Sequence, residues 1–353
     1  MSVRTFSIGG RCVGDGAPCY IVAEIGINHN GNLDLARRMI DNAKAAGADA
    51  VKFQNYRTED FIRDHTLTYT YRSQGRTVTE SQYNLFKRCE LDVCMLADLF
   101  KHCDAIGIAC HSTPTSEEGI MALVELGANV LKNGSDYITH LPLIAAMGRT
   151  NLPTVISTGM ATIAEINEAV RVYRATGNNK LILLHCVSNY PASPESLNLA
   201  KIQAMASAFD CLVGFSDHSQ GIVAAVCAVA LGACWIEKHF TLDHELPGPD
   251  HWFSADPREL QELVRSIRTF EVALGRPWIG PTETDMETCE LARLSCVAAR
   301  PLSAGAVLTA GDITFKRPGT GLPPAFAEYL FGYRLRRNLE ANEALALIDL
   351  IEP

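Results

Sequence analysis

No apolar run in this chain reaches the roughly 18 residues that a membrane-spanning helix needs. The opening stretch, MSVRTFSIGGRCVGDG, lacks the apolar core of a secretory signal. A cytoplasmic protein with no membrane partner is therefore expected. Runs of Lys and Arg are also missing, and the formal net charge of −9 argues against a nucleic-acid groove. Cysteine is plentiful but its pairing signals are not: twelve residues are scattered with no CxxC spacing, several inside apolar runs (Cys110, Cys186, Cys227, Cys234). This pattern excludes a disulfide framework and reads as buried thiols of a reducing compartment. Signs of disorder are absent as well, since 47% of residues are hydrophobic and 20% charged. At 353 residues the chain exceeds one typical domain, and a large barrel with a small appendage is the natural division.

What is present, from Tyr20 onward, is a repeated alternation of short β-type runs and helical stretches with apolar residues at i, i+3 and i+4. The predicted strands are Tyr20 to Ile25, Ala50 to Gln54, Gly107 to His111, Val130 to Lys132, Thr154 to Ser157, Leu181 to His185, Leu212 to Phe215 and Trp235 to Lys238. Eight such runs predict a closed (β/α)₈ TIM barrel, an α/β fold. Helices are expected over Leu33 to Ala46, Ser116 to Leu126, Ile163 to Ala175 and Pro257 to Ala273, with Gly47, Gly107, Gly127 and Gly232 at helix ends. One connection, Tyr56 to about Leu91, is too long for the repeat, and reads either as a lid on the active-site face or as surface decoration. The barrel is placed at residues 1–274. Clustered Gly and Pro and the polar run TETDMETCE suggest an extended connector over 275–292, and short β-type runs (Cys296 to Ala299, Ile313 to Lys316, Ala344 to Leu350) a small, mostly β domain over 293–353.

Residues at the carboxyl ends of barrel strands face the active site. His218 and His239 follow the runs CLVGF and ACWIE, with Asp217, Glu237 and Asp250 nearby. Two imidazoles so placed can hold a divalent metal with positions left open, or can be satisfied core residues. Lys52 and Lys132 end apolar runs, where lysine needs a partner. That partner is either a bound phosphate or carboxylate, or a structural ion pair with Glu24 or Glu237. Gly134 with Ser135, Ser157 with Thr158 and Gly159, and Gly214 with Ser216 could donate to phosphate, and Glu24 is a possible general base. The inventory fits a phosphorylated, carboxylated substrate with a metal-polarised carbonyl.

At these residues the chain resembles the sialic acid synthase family, the N-acetylneuraminate synthases and their relatives for legionaminic, pseudaminic and other nine-carbon α-keto acids. The marks are AEIGINHNG from Ala23, VKFQ from Val51, STP from Ser112, KNGS from Lys132, STGM from Ser157, HCVSNYP from His185, GFSDH from Gly214, EKHFT from Glu237 and PGPDH from Pro247. The tail from about Ala292 resembles the family's antifreeze-like (SAF, β-clip) domain, with KRPGTG from Lys316. The resemblance implies that phosphoenolpyruvate condenses with an open-chain 2-acetamido sugar, ManNAc or a 2,4-diacetamido relative, releasing phosphate. It implies His218 and His239 as ligands of manganese or magnesium, and Lys52, Lys132, Ser135, Ser157 and Ser216 as holders of phosphate and carboxylate. Glu24 and Asp250 match acidic positions that move protons or bind the sugar, and Gln54, Thr113 and Tyr190 match further contacts. It also implies a domain-swapped homodimer in which Arg317 of one subunit lies over the partner's barrel. Departures from the N-acetylneuraminate synthases, at Gly134 to Tyr137 and Val187 to Asn189, fall on the sugar side. A metal-dependent aldolase or isomerase, and a non-catalytic carbohydrate-binding protein, are the competing expectations.

Overall fold

Runs such as YIVAEIG and LILLHC carry apolar residues on both faces of a strand, so they form where both faces can be covered, as in a parallel barrel. The computed structural model describes residues 4–352 and builds eight parallel strands from these runs. They are β1 (Tyr20–Gly26), β2 (Ala50–Asn55), β3 (Ala109–Pro114), β4 (Leu131–Asn133), β5 (Thr154–Ser157), β6 (Leu181–Cys186), β7 (Leu212–Asp217) and β8 (Trp235–His239). The barrel helices are α1 (Leu33–Ala45), α2 (Val93–Ile106), α3 (Glu117–Glu125), α4 (Leu141–Arg149), α5 (Ile163–Ala175), α6 (Lys201–Phe209), α7 (Val223–Ala230) and α8 (Pro257–Leu274). The hydrogen-bonded order is β3-β2-β1-β8-β7-β6-β5-β4, and β3 packs beside β4 at a seam where the ladder does not run, so the barrel is nearly closed. The predicted strand at Gly107 begins two residues later, because Gly107 adopts a left-handed conformation (φ 72°) to cap α2.

Alternation along the strands sorts side chains into two cores. Ile21, Ala23, Ile25, Val51 and Phe53 face outward against Met39, Ile40 and Leu99 of the helices. Tyr20, Val22, Val130, Val155, Ile182, Leu184 and Trp235 fill the lumen, and each full burial of this kind stabilises by roughly 1.5–3 kcal/mol. A hairpin that the sequence reading passed over, Thr5–Ile8 with Arg11–Gly14, plugs the floor with Ile8 and Val13. Its Arg11 lies 5.7 Å from the centre of the Tyr20 ring and pairs with Asp49, which also accepts from Ile21 N–H (2.8 Å) and Arg268 (2.9 Å).

The long connection is ordered. It forms a hairpin, Thr68–Ser73 with Arg76–Ser81, turned at Gln74 and Gly75 (φ 51° and 73°), then a helix at Gln82–Cys89.

The chain divides into two compact units, at Gly275 and Arg276. In the second, Ser295–Ala298 pairs with Ile313–Lys316 and Arg334–Leu335 with Leu350–Ile351, around Cys296, Leu308, Leu339 and Leu345. Three expectations need correction. The connector contains a helix, Glu283–Ala292, started by a Thr282/Asp285 capping box; none of its side chains is buried, so it shows no apolar stripe. Residues 344–350 are not one strand: Ala344 makes a single bridge to Val297, Leu347–Asp349 turn as a 3₁₀ helix, and only Leu350 begins a short strand. All cysteines are free, but Cys12, Cys94 and Cys227 are exposed. Among the described residues no helix is long and apolar enough to cross a membrane.

Candidate active site

One turn above the apolar lumen, the inward positions become charged. Strand register places Glu24 of β1 beside Lys52 of β2, Lys52 beside His111 of β3, and Ser216 of β7 beside Glu237 of β8. Lys52 Nζ lies 3.0 Å from Glu24 and 3.5 Å from Glu237, and donates to Thr113 Oγ1 at 3.0 Å. Lys132 of β4 reaches the same Glu237 at 3.7 Å and donates to Ser157 Oγ (2.7 Å) and Asn133 O (3.0 Å). Ser216 donates to Glu237 at 3.2 Å and Gln54 to Glu24 at 3.1 Å. Both lysines thus engage the carboxylates that the sequence offered as structural partners, at a place where a bound anion would compete for them.

Burial sets the protonation of this group. It raises the Glu24 carboxyl to about 7, with Lys52 offsetting part of the shift. It also opposes charge on Glu237, but Lys132 and Lys52 outweigh it and hold that carboxyl at about 2. Lys132 is lowered by burial, whereas at Lys52 the two carboxylates overcome burial and raise it. Among the described residues several buried polar atoms here lack a hydrogen-bond partner: both ring nitrogens of His111, Glu237 Oε2 and Nδ1 of His239. Buried polar atoms without partners are costly, and an accumulation of them marks a place built to receive something.

Beside this cluster His218 and His239 lie with ring centres 5.4 Å apart. The Nδ1–H of His218 donates to Val187 O at 2.7 Å, which leaves Nε2 as a lone-pair donor when the ring is neutral; burial opposes its charge, but Cys186 and Val187 O outweigh burial and raise its pKa. Burial lowers His239 far below the usual imidazole range and keeps it neutral, with Asp250 at 3.7 Å from its Nδ1. Burial also raises the Asp250 carboxyl to about 6, with His218 pulling the other way. Two imidazoles and one carboxylate are donor types that can hold a divalent cation. Asp217 does not join them; it turns to Lys238. Among the described residues the three ligand atoms that do lie within 4.8 Å of one another belong to a different group, His244, Asp256 and Glu259, and not to His218, His239 and Asp250. There Asp256 and Glu259 already accept backbone N–H groups as the capping box of α8, so their carboxylates are committed.

The Tyr190 ring lies against His218, tilted by 30° with ring centres 4.1 Å apart. Ser135 Oγ accepts from Gly159 N–H at 3.1 Å, and a Cβ at Gly159 would meet Ser188 Oγ at 2.4 Å, so only glycine lets these two loops approach. Arg317 belongs to the second unit: it is exposed, just after the strand ending at Lys316, and no ion pair holds it among the described residues.

Several residues escaped the sequence reading because their work is positional. Asn28 donates to Phe240 O (2.9 Å) and Ser254 Oγ (3.0 Å), and Asn30 to Pro247 O (2.8 Å), so the INHNG turn after β1 clasps the loop that carries Asp250. His251 bonds Thr241 Oγ1 at 2.7 Å on the same loop. The 68–81 hairpin latches onto it from above: Gly248 N–H donates to Ser73 Oγ at 3.1 Å and the Arg72 guanidinium lies 5.0 Å from the Trp252 ring centre. Gly248 and Trp252 bracket Asp250, so the hairpin is fastened on both sides of that residue.

The sequence profile of the NeuB family matches residues 39–278, and that of the SAF domain residues 295–350. The chain belongs to the NeuB family. It is 39% identical to the N,N'-diacetyllegionaminic acid synthase of Legionella pneumophila, over 94% of each chain. It is 35% identical to the N-acetylneuraminate-9-phosphate synthase of Homo sapiens, over 95% of this chain and 94% of the other. The crystal structure of the N-acetylneuraminic acid synthetase from Leptospira borgpetersenii in complex with citrate matches with a TM-score of 0.73 and 34% identity, covering 82% of this chain and 96% of that one. NeuB relatives of this kind are synthases of sialic-acid-type sugars, and the C-terminal SAF domain accompanies the barrel in this chain.

Proposed function

We propose that this chain joins phosphoenolpyruvate to the open-chain aldehyde of a 2-acetamido hexose, giving a nine-carbon α-keto acid and inorganic phosphate. The observation that carries the reading is the convergence of Lys52 and Lys132 on Glu237 in the barrel mouth, beside His218, His239 and Asp250. In the reaction C3 of phosphoenolpyruvate forms a bond to the aldehyde carbon, whose oxygen takes a proton. Water then adds at C2, and the C2–O bond to phosphate breaks. Lys52 and Lys132 hold phosphate and carboxylate, with hydroxyls of Ser135, Ser157 and Ser216 as further donors. His218 and His239 would hold a divalent ion, which when bound would supply electrophilic polarisation of the aldehyde. Glu24, balanced near neutrality, gives or takes the proton at the lysine side, and Asp250 orients the sugar and its incoming water. Gln54, Thr113 and Tyr190 line the acceptor.

The acceptor is read as ManNAc or a 2,4-diacetamido relative, the second supported by the identity to a legionaminic acid synthase. A domain-swapped homodimer, with Arg317 completing the partner's site, is supported by apolar residues left exposed: Trp278, Ile279 and Met286 before the SAF domain, and Tyr329, Leu347 and Ile348 within it. The test is phosphate release from phosphoenolpyruvate with manganese across a panel of 2-acetamido and 2,4-diacetamido hexoses. Release with one sugar, abolished by a chelator, is expected; no release with any of them from folded, metal-loaded protein overturns the reading.

A further inference from the structure

A buried ion pair is an expensive way to join two strands, because desolvating both charges consumes most of their attraction. Asp217 and Lys238 form such a pair at the ends of β7 and β8, with side chains 0% and 2% exposed and the contact at 2.8 Å. Their register is direct, one opposite the other, and they belong to the outward-facing set, away from Ser216 and Glu237 in the lumen. The pair therefore lies behind the site and touches none of the reacting groups.

Its other bonds show what it holds. Asp217 Oδ1 accepts from the backbone N–H of Ser219 (2.8 Å) and from its hydroxyl (2.6 Å), while Lys238 Nζ donates to Ser219 O at 2.7 Å. Ser219 and Asp217 are the residues on either side of His218, and Lys238 immediately precedes His239. The polar side-chain atoms of the Asp217–Lys238–Ser219 group are thus spent on one another and on the backbone of Ser219, next to His218. The outer ends of His218 are fixed as well, its carbonyl accepting from Ala192 N–H at 3.0 Å.

We propose that Asp217 and Lys238 form a clamp that positions His218 against His239 and so sets the affinity of the pair for a divalent cation. Neither residue is a ligand. The inference rests on the reading of His218 and His239 as metal ligands, and the experiment separates the two. Binding of Mn2+ is measured by electron paramagnetic resonance and calorimetry, without substrates, on the full chain and four variants: His218→Ala, Asp217→Asn, Lys238→Met and the double variant Asp217→Leu with Lys238→Met. The double variant replaces a buried pair by apolar side chains, which avoids leaving either charge buried alone. Thermal unfolding is followed in parallel. His218→Ala should abolish binding; the double variant, which also leaves Ser219 without its partners, should still unfold cooperatively, at a somewhat lower temperature, yet bind Mn2+ at least tenfold more weakly with a broadened resonance when measured well below that temperature. A double variant that folds and binds Mn2+ like the unaltered chain overturns the clamp alone. Unchanged binding in His218→Ala overturns the metal reading, and the clamp with it.

Discussion

Both ends of the barrel bury charge, and they treat it differently. At the floor Asp49 takes Arg11, Arg268 and the Ile21 N–H, and Glu271 takes Arg268 and the Cys19 N–H, so each carboxylate is fully engaged. At the mouth Glu237 is shared between two lysines, its Oε2 has no partner, and both nitrogens of His111 are idle. The floor spends its polar groups on closing the structure, whereas the mouth keeps some in reserve. Charge buried for stability is saturated; charge buried for binding is not.

This contrast is sharpest if the two ends fail separately. Lys132→Met, close to isosteric, should lower turnover on the order of 10²–10³-fold, as loss of a preorganised charge does, with the unfolding temperature nearly unchanged. Comparable losses of activity and stability would erase the distinction. Asp49→Ala should do the reverse, since it strands Arg11 and Arg268: a loss of about 2–4 kcal/mol in urea unfolding, with kcat/KM within about twofold at a permissive temperature. A third prediction follows from the clasp around Asp250. Burial holds His29 and His251 at about 4, below their value of roughly 6.5 in an unfolded chain. The unfolded chain therefore binds more protons between those values, so the stability they contribute is full above pH 6.5 and drains as pH falls towards 4, by up to about 1.4 kcal/mol per pH unit for each. Unfolding free energies at pH 7 and pH 5 should differ less in His251→Asn than in the unaltered chain; an equal difference would remove His251 from this account. The smallest effect is expected at the latch: Arg72→Ala should cost about 0.5–1 kcal/mol and raise KM for the sugar a few-fold while leaving KM for phosphoenolpyruvate alone. Parallel changes in both would return the hairpin to surface decoration.

What could be read from the sequence followed from periodicity. Strands with apolar residues on both faces announced themselves, and a polar residue ending such a run, as in VKFQ or NVLK, pointed to the mouth before any coordinates. The partners of those residues were not legible, because Glu237 meets Lys52 and Lys132 across the lumen from strands more than a hundred residues away in sequence. Asn28, Asn30 and His251 stayed hidden for a related reason: an amide that clasps a distant loop looks, in sequence, like any turn residue. The connector helix was missed because it has no buried face, and periodicity sees only helices that bury one.

The seam gives the shared carboxylate a geometric meaning. In backbone terms the barrel is a ribbon of eight strands rolled until its two ends, β3 and β4, lie side by side without a ladder between them. Lys132 stands on one end strand, Lys52 one strand in from the other, and Glu237 near the middle of the ribbon. The two ion pairs therefore cross the lumen from near each margin of the roll to its centre. The groups proposed to meet an incoming anion thus reach the centre of the mouth from both margins of the roll.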